Sequence, residues 1–268
     1  MIDFHVHMFP DALAARVLGK LAGASGNVPC TDGTRDGTMA YLKSNGVDKA
    51  VVLNIATNER QQRNVNDFAI SLAADPDIIP FGSVYPLGAS FEDELYRLHA
   101  AGIKGIKLHP EYQDFEVNDK RVFKVYEICG ALGLIISFHA GYDNAYLHRM
   151  NCPPRGSREI AESFPNNKFV FAHMGGDGVF EDVYEYLAGT ACQFDTGFIG
   201  KKGIACKALM SRIIKKHGAE KILFATDTPW MSVRESVDVV DSLDITAAEK
   251  DLIFDTNARE LLAGVNAR

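Results

Sequence analysis

A chain of 268 residues, 47% hydrophobic and 24% charged and free of low-complexity stretches, can bury a large core as an ordinary globular protein. A formal net charge of −7 argues against a nucleic-acid or anionic-membrane surface, which needs clustered Lys and Arg; a small molecule is the expected partner, and a homo-oligomer is compatible. Five scattered cysteines (Cys30, Cys129, Cys152, Cys192, Cys206), none in a Cys-x-x-Cys pair, exclude a disulfide framework and a thiolate metal site.

No apolar run approaches the roughly 18 residues that span a bilayer, and the start MIDFHVHMFPDAL has neither a basic nor a continuous apolar stretch, so a cytoplasmic protein is expected. Along the chain, short runs rich in β-branched and aromatic residues alternate with longer runs of helical period, the pattern of βα units on a parallel sheet. The predicted strands are 2–7, 49–55, 78–85, 105–109, 134–139, 168–173, 192–195 and 222–226. Residues 10–35, broken by Gly23, Gly26, Pro29 and Gly33, predict a loop inserted after the first strand. Apolar residues recurring every three or four positions predict helices over 64–74, 91–100, 120–132, 204–217 and 233–243, with a closing helix over 247–262. Gly102, Gly133 and Gly218 stand where helices should stop.

A doubly wound open sheet shows the same alternation. Metal-competent or other polar residues, however, end the first, fourth, fifth, sixth, seventh and eighth predicted strands. A barrel gathers its chemistry at the carboxyl ends of many strands, whereas an open sheet concentrates it at one switch point. The expected architecture is therefore an α/β fold, one (β/α)8 TIM barrel over residues 1–268.

His5 and His7 lie two apart in the first strand, so both rings point to one side and can grip one ion. The series continues with Lys107 in GIKLHP, His139 in SFHAG, His173 in FAHMGG, Asp195 in FDTG and Asp227 in FATDTPW, at steps compatible with one βα unit each. Each follows an apolar run, where a buried imidazole or carboxylate is costly unless it bonds a metal or another polar group. Imidazole and carboxylate donors without thiolates suit Zn2+, as one ion or two, with Mn2+, Fe2+ or Co2+ as alternatives. A metal there lowers the pKa of a bound water toward ~7, and Asp227 beside it can take the proton and pass it to a leaving group. His173 is either a second-metal ligand or an electrophilic and acid catalyst.

His109, just beyond the fourth strand, is a candidate lining residue of the substrate pocket. Arg149 and Arg155, in the loop after the fifth strand, are candidate clamps for a substrate carboxylate. Trp230 is an apolar wall or a core residue, and His99, His148 and His217, which end no strand, are read as non-ligands.

In this order and spacing FHVH, GIKLHP, SFHAG, HMGG, ATDTPW and the terminal TNARELL resemble the amidohydrolase superfamily, from residue 2 to about residue 262. The resemblance is to its family-2 group of metal-dependent TIM-barrel hydrolases, which includes the aminocarboxymuconate-semialdehyde decarboxylase-like enzymes. It implies that His5, His7 and His139 bind metal, that Asp227 binds metal and serves as acid and base, and that His173 assists catalysis. GIKLHP is also similar to the strand of dihydroorotases in which a carboxylated lysine bridges two metals. Lys107 is then either such a bridge in a binuclear site or a plain ammonium paired with Asp227 or another acid.

Three functions are compatible with these residues. One is hydrolysis of an amide, lactone or related bond by metal-activated water, and another is non-oxidative decarboxylation of a carboxylated aromatic or unsaturated acid. The third, a catalytically silent barrel acting as a binding module, is disfavoured because no expected ligand position is lost. Hydrolysis is the expectation, since decarboxylase-like relatives tend to be longer chains and GIKLHP leans toward the dihydroorotase pattern.

Overall fold

All eight predicted strands form, in a computed structural model that describes residues 1–200 and 205–265. They are β1 (Ile2–Val6), β2 (Lys49–Leu53), β3 (Ile78–Phe81), β4 (Gly105–Leu108), β5 (Ile135–Phe138), β6 (Lys168–Phe171), β7 (Gln193–Asp195) and β8 (Ile222–Leu223). Neighbours in sequence pair in parallel within a β1-β2-β3 sheet and a β4 to β8 sheet. Two seams join the sheets into a ring. At one, Gly82 bridges to Ile106 and the Lys107 amide donates to Gly82 O at 2.8 Å; at the other, Val6 bridges to Thr228 and the Phe4 amide donates to Phe224 O at 2.9 Å. The result is a closed barrel, which leaves no open sheet edge.

Alternation along the strands sorts the apolar residues into two layers. Ile2, Phe4, Val51, Leu53, Phe81, Ile135, Val170 and Leu223 cluster with Ala258, Leu262 and Val265 of the chain's last helical segment. Their neighbours Ile106, Ile136, Phe138, Phe171 and Phe194 pack instead with residues of the surrounding helices. Those helices are α1 (Asp11–Ser25), α2 (Arg35–Ser44), α3 (Glu59–Leu72), α4 (Phe91–Ala100), α5 (Phe123–Leu132), α6 (Pro154–Ser163), α7 (Lys207–His217) and α8 (Val233–Ser242), followed by a broken run ending at Asn257–Ala263. Ile204, where the sequence predicts α7 to begin, lies outside the described residues. Among the described residues no helix is long and apolar enough to cross a membrane.

The loop expected over 10–35 is corrected by α1. Its apolar residues Leu13, Ala14, Val17, Leu18 and Leu21 keep the helical spacing, Ala14 and Leu18 are buried, and Gly26 ends it in the left-handed conformation at φ 74°. Gly19 and Gly23 sit inside the helix where a Cβ would meet nothing within 4 Å, so they weaken it by roughly 1 kcal/mol each without breaking it. Reading Gly23 and Gly26, with Pro29 and Gly33, as the marks of one loop hid the helix. α6 was also unassigned in the sequence; Pro154 sits in its first turn, where the missing amide hydrogen costs no helical bond.

His217, at the end of α7, is a fully satisfied neutral core histidine. Nε2 donates to Cys192 O at 2.9 Å, Nδ1 accepts from the Gly189 amide at 3.1 Å, and the ring stacks on Phe194 with centroids 3.9 Å apart. Burial, and then the positive charge of Lys221, push its pKa down from 6.5 to about 3. A base with a depressed folded-state pKa contributes stability that is complete above 6.5 and lost as pH falls toward 3. His217→Gln, which does not titrate, is expected to be less stable than wild type at pH 7.5. By pH 4.5 the gap should narrow by about 3 kcal/mol, at roughly 1.4 kcal/mol per pH unit below 6.5. Denaturant melts of both proteins at the two pH values check this; a gap that does not change with pH refutes it.

Candidate metal centre and active-site cavity

The polar residues that interrupt the apolar strands gather at one end of the barrel, the carboxyl end, as the chemistry of this fold requires. His5 lies in β1 and His7 just past it, Lys107 in β4, His139 directly after β5, His173 just after β6, Asp195 at the end of β7 and Asp227 four residues past β8. His7 Nδ1 donates to Leu53 O at 2.6 Å and His5 Nδ1 to Asp195 Oδ2 at 2.9 Å. With their protons held at Nδ1, both rings present an unprotonated Nε2, that of His5 also 3.3 Å from Lys107 Nζ. The two Nε2 atoms lie 2.9 Å (His7) and 3.3 Å (His5) from Asp227 Oδ1.

His5 and His7 Nε2 and Asp227 Oδ1 thus meet lone pair to lone pair, an arrangement that a cation relieves. Burial, and then the charge of Lys107, lower the His5 pKa to about 4, so the ring is neutral at neutral pH. Burial opposes the ionisation of Asp227, but the adjacent His5 and then His7 outweigh it and hold the carboxyl below its usual range.

His139 reaches the same condition by another route. His173 Nδ1 faces Gly197 O at 2.8 Å and must donate to it, which leaves Nε2 to accept. His139 Nδ1, 3.0 Å away, then donates to that Nε2, and His139 Nε2 is left as a bare lone pair, buried and without a hydrogen-bond partner. An orphaned buried acceptor is costly unless something binds it, and a metal ligand has this form. Its Nε2 nevertheless stands outside the tight group of His5, His7 and Asp227, whose donor atoms lie within 4.8 Å of one another; that distance groups His139 with His109 and Asp143, and His173 with His5 and Asp195.

Lys107 is buried with Nζ 3.3 Å from His5 Nε2, and burial lowers its pKa to about 8 against the opposing pull of Asp195 and Asp227. No carboxylate lies within 4.0 Å of it among the described residues, so the direct pair with Asp227 is not formed.

Two supporting carboxylates complete the centre. Asp195 accepts from His5 and from the amides of His173 (3.1 Å) and Gly197 (2.9 Å); burial opposes its ionisation, yet the adjacent His5, which donates to it, holds its pKa low. Asp3 accepts from the His5 and Thr226 amides and from the Thr226 hydroxyl at 2.6 Å, tying β1 to the turn that carries Asp227, and burial raises its pKa to about 7. Sequence reasoning missed Asp3; the available signal was a third polar side chain in DFHVH on a buried strand. His173 and Asp227 both have left-handed backbone, at φ 58° and 65°, local strain of the kind that collects at functional sites.

The centre opens into a cavity of about 560 Å³. His109 lines it, its ring stacked between Tyr112 and His139 at centroid distances of 4.0 and 4.2 Å, and Trp230 forms part of the wall. The two arginine expectations are corrected. Arg155 points outward from the first turn of α6 and lays its guanidinium 3.6 Å over the Tyr186 ring, and Arg149 is spent on Asp114 at 2.8 Å and on Glu111 O. Neither lines this cavity; Arg16 and Lys20 of α1 and Arg60 of α3 do.

The sequence model of the amidohydrolase family matches residues 2–263. The chain belongs to the amidohydrolase family. It is an enzyme of that metal-dependent family, on a TIM barrel. No curated protein sequence matches it. Among solved structures, 5-carboxyvanillate decarboxylase from Sphingomonas paucimobilis superposes with a TM-score of 0.72 at 17% identity over 98% of both chains. The 2,6-dihydroxybenzoate decarboxylase from Rhizobium gives 0.69 at 16% identity, also over 98% of both. A dihydroxybenzoic acid decarboxylase from Polaromonas, with bound manganese and the inhibitor 2-nitroresorcinol, gives 0.71 at 15% over 98% of this chain and 96% of its own. These decarboxylases overturn the expectation of hydrolysis, and the argument from chain length fails with it, since they match nearly end to end.

Proposed function

We propose that this amidohydrolase-family chain is a metal-dependent, non-oxidative decarboxylase of a small carboxylated aromatic or unsaturated acid. The observation that carries the reading is the donor group of His5, His7 and Asp227 buried beside an apolar-walled cavity, on a fold shared end to end with decarboxylases. His5, His7, His139 and Asp227 would hold one divalent ion. Mn2+, present in the Polaromonas relative, and the Zn2+ expected from the sequence both suit imidazole and carboxylate donors. When bound, the ion supplies a Lewis acid that draws electron density from a substrate oxygen near the carboxylate.

Proton movement falls to the chain. Asp227, ionised at the outset, takes a proton from a substrate hydroxyl and delivers it to the carbon bearing the carboxylate. The new C–H bond forms from the π electrons, the bond to the carboxylate breaks, its electron pair restores the ring or alkene, and CO2 leaves. His173 holds His139 in the tautomer that exposes Nε2, and the His109 ring, stacked between Tyr112 and His139, braces the His139 ring and lines the cavity. Apolar walls such as Phe9, Phe68 and Trp230 favour loss of a localised carboxylate charge to neutral CO2.

The test is a panel of hydroxybenzoates and unsaturated acids incubated with metal-loaded protein in deuterated, 18O-labelled water. Expected are CO2 in stoichiometric yield, deuterium at the vacated carbon and no label transferred to a product carboxylate. An acid product carrying 18O without CO2 overturns the proposal.

A further inference from the structure

The cavity is larger than one ring requires, about 560 Å³ and within the range that takes drug-sized ligands. It runs from the metal centre to a wall made by α1 and α3, where Leu13, Val17 and Leu21 of α1 repeat along one face. On the same two helices stand Arg16, Lys20 and Arg60, all lining the cavity and all exposed.

What distinguishes the two arginines is that, among the described residues, neither a carboxylate nor an aromatic ring pairs with them. Every other described arginine either pairs with a carboxylate, as Arg35, Arg63, Arg97, Arg121, Arg149, Arg158, Arg234 and Arg259 do, or lies over a tyrosine ring, as Arg155 and Arg212 do. Among the described residues no carboxylate lies within 4.0 Å of Arg16, Lys20 or Arg60, in a chain whose formal charge is −7. Three unpaired cations around one opening of an acidic protein make a local positive field aimed into an apolar cavity.

We infer that the substrate carries a second anionic group, carboxylate, sulfonate or phosphate, at the far end of an apolar body, and that Arg16, Lys20 and Arg60 bind it. This rests on the reading that the reacting carboxylate sits at the His and Asp centre. The apolar body then lies along Leu13, Val17 and Leu21, and guanidinium groups meet the distal anion in forked pairs. The subsite selects among acids and leaves the bond-breaking step alone.

Isothermal calorimetry on the metal-loaded protein tests this without relying on turnover. The probes are 2-hydroxybenzoates bearing at C4 an ω-carboxyalkoxy chain of graded length, each compared with its distal methyl ester. Wild type should bind the best diacid about tenfold more tightly than its ester, as expected for exposed pairs worth roughly two- to fivefold each. The preference should shrink as salt is raised. In the triple variant Arg16→Gln, Lys20→Gln, Arg60→Gln the ratio should fall to about one, with ester affinity and metal content unchanged. A ratio near one in wild type, a preference that survives in the triple variant, or failure of every probe to bind overturns the subsite. A preserved ratio of affinities with no CO2 released would instead sink the decarboxylase reading and leave the subsite standing.

Discussion

Asp227→Asn is expected to lower turnover by a factor of about 10² to 10⁴ while the protein keeps most of its metal, measured as CO2 release against metal content per chain. The amide is nearly isosteric, and its oxygen can take the position of Oδ1 opposite His7 and His5. His5, His7 and His139 remain as donors, the last with its Nε2 still unpartnered. What is lost is the ability to accept a proton and return it, which a carboxylate has and an amide lacks. Two outcomes would break the argument. Loss of metal in step with activity would make Asp227 chiefly a ligand, and retained turnover would move the proton to another residue.

The barrel was legible because its strands are almost wholly apolar and end in polar residues that nothing in a core would tolerate unpaired. FHVH, SFHAG and FATDTPW therefore marked the strand ends, and His5, His7 and Asp227 converge in space from opposite ends of the chain. The cavity was not legible. Its wall is α1, concealed because Gly23, Gly26, Pro29 and Gly33 together read as a loop, so the cations on that helix could not be placed near the chemistry. The arginines that could be placed, Arg149 and Arg155, follow a catalytic strand but turn toward Asp114 and Tyr186. A position in a catalytic-face loop says which end of the barrel a residue occupies. The direction of its side chain depends on local partners from distant segments. Hydrolysis and decarboxylation were inseparable for a chemical reason: the same donors and the same proton carrier serve both.

Asp195 makes the sharpest test of the tautomer argument, because replacing it by asparagine changes a hydrogen-bonding polarity and little else. Its Oδ1 accepts from two backbone amides, His173 at 3.1 Å and Gly197 at 2.9 Å, while Oδ2 accepts from His5 Nδ1. An asparagine must keep its oxygen on the two amide donors, since turning its NH2 toward them would set donors against donors in a buried site. Its NH2 then faces His5 Nδ1, which has to become an acceptor. The His5 proton moves to Nε2, the atom that faces Asp227, and the ring can no longer offer a lone pair there. Asp195→Asn is therefore expected to bind metal 10- to 100-fold more weakly, a loss typical of disturbing a group behind a ligating histidine, even though no proposed ligand has been touched. Asp195→Glu, which keeps the acceptor, should recover part of the affinity if the longer side chain is accommodated. Metal titrations of the apoproteins give the result, with thermal melts to confirm that each variant is folded. Unchanged metal affinity in a folded Asp195→Asn protein would mean that His5 does not ligate through Nε2, and the centre would have to be rebuilt around His7, His139 and Asp227.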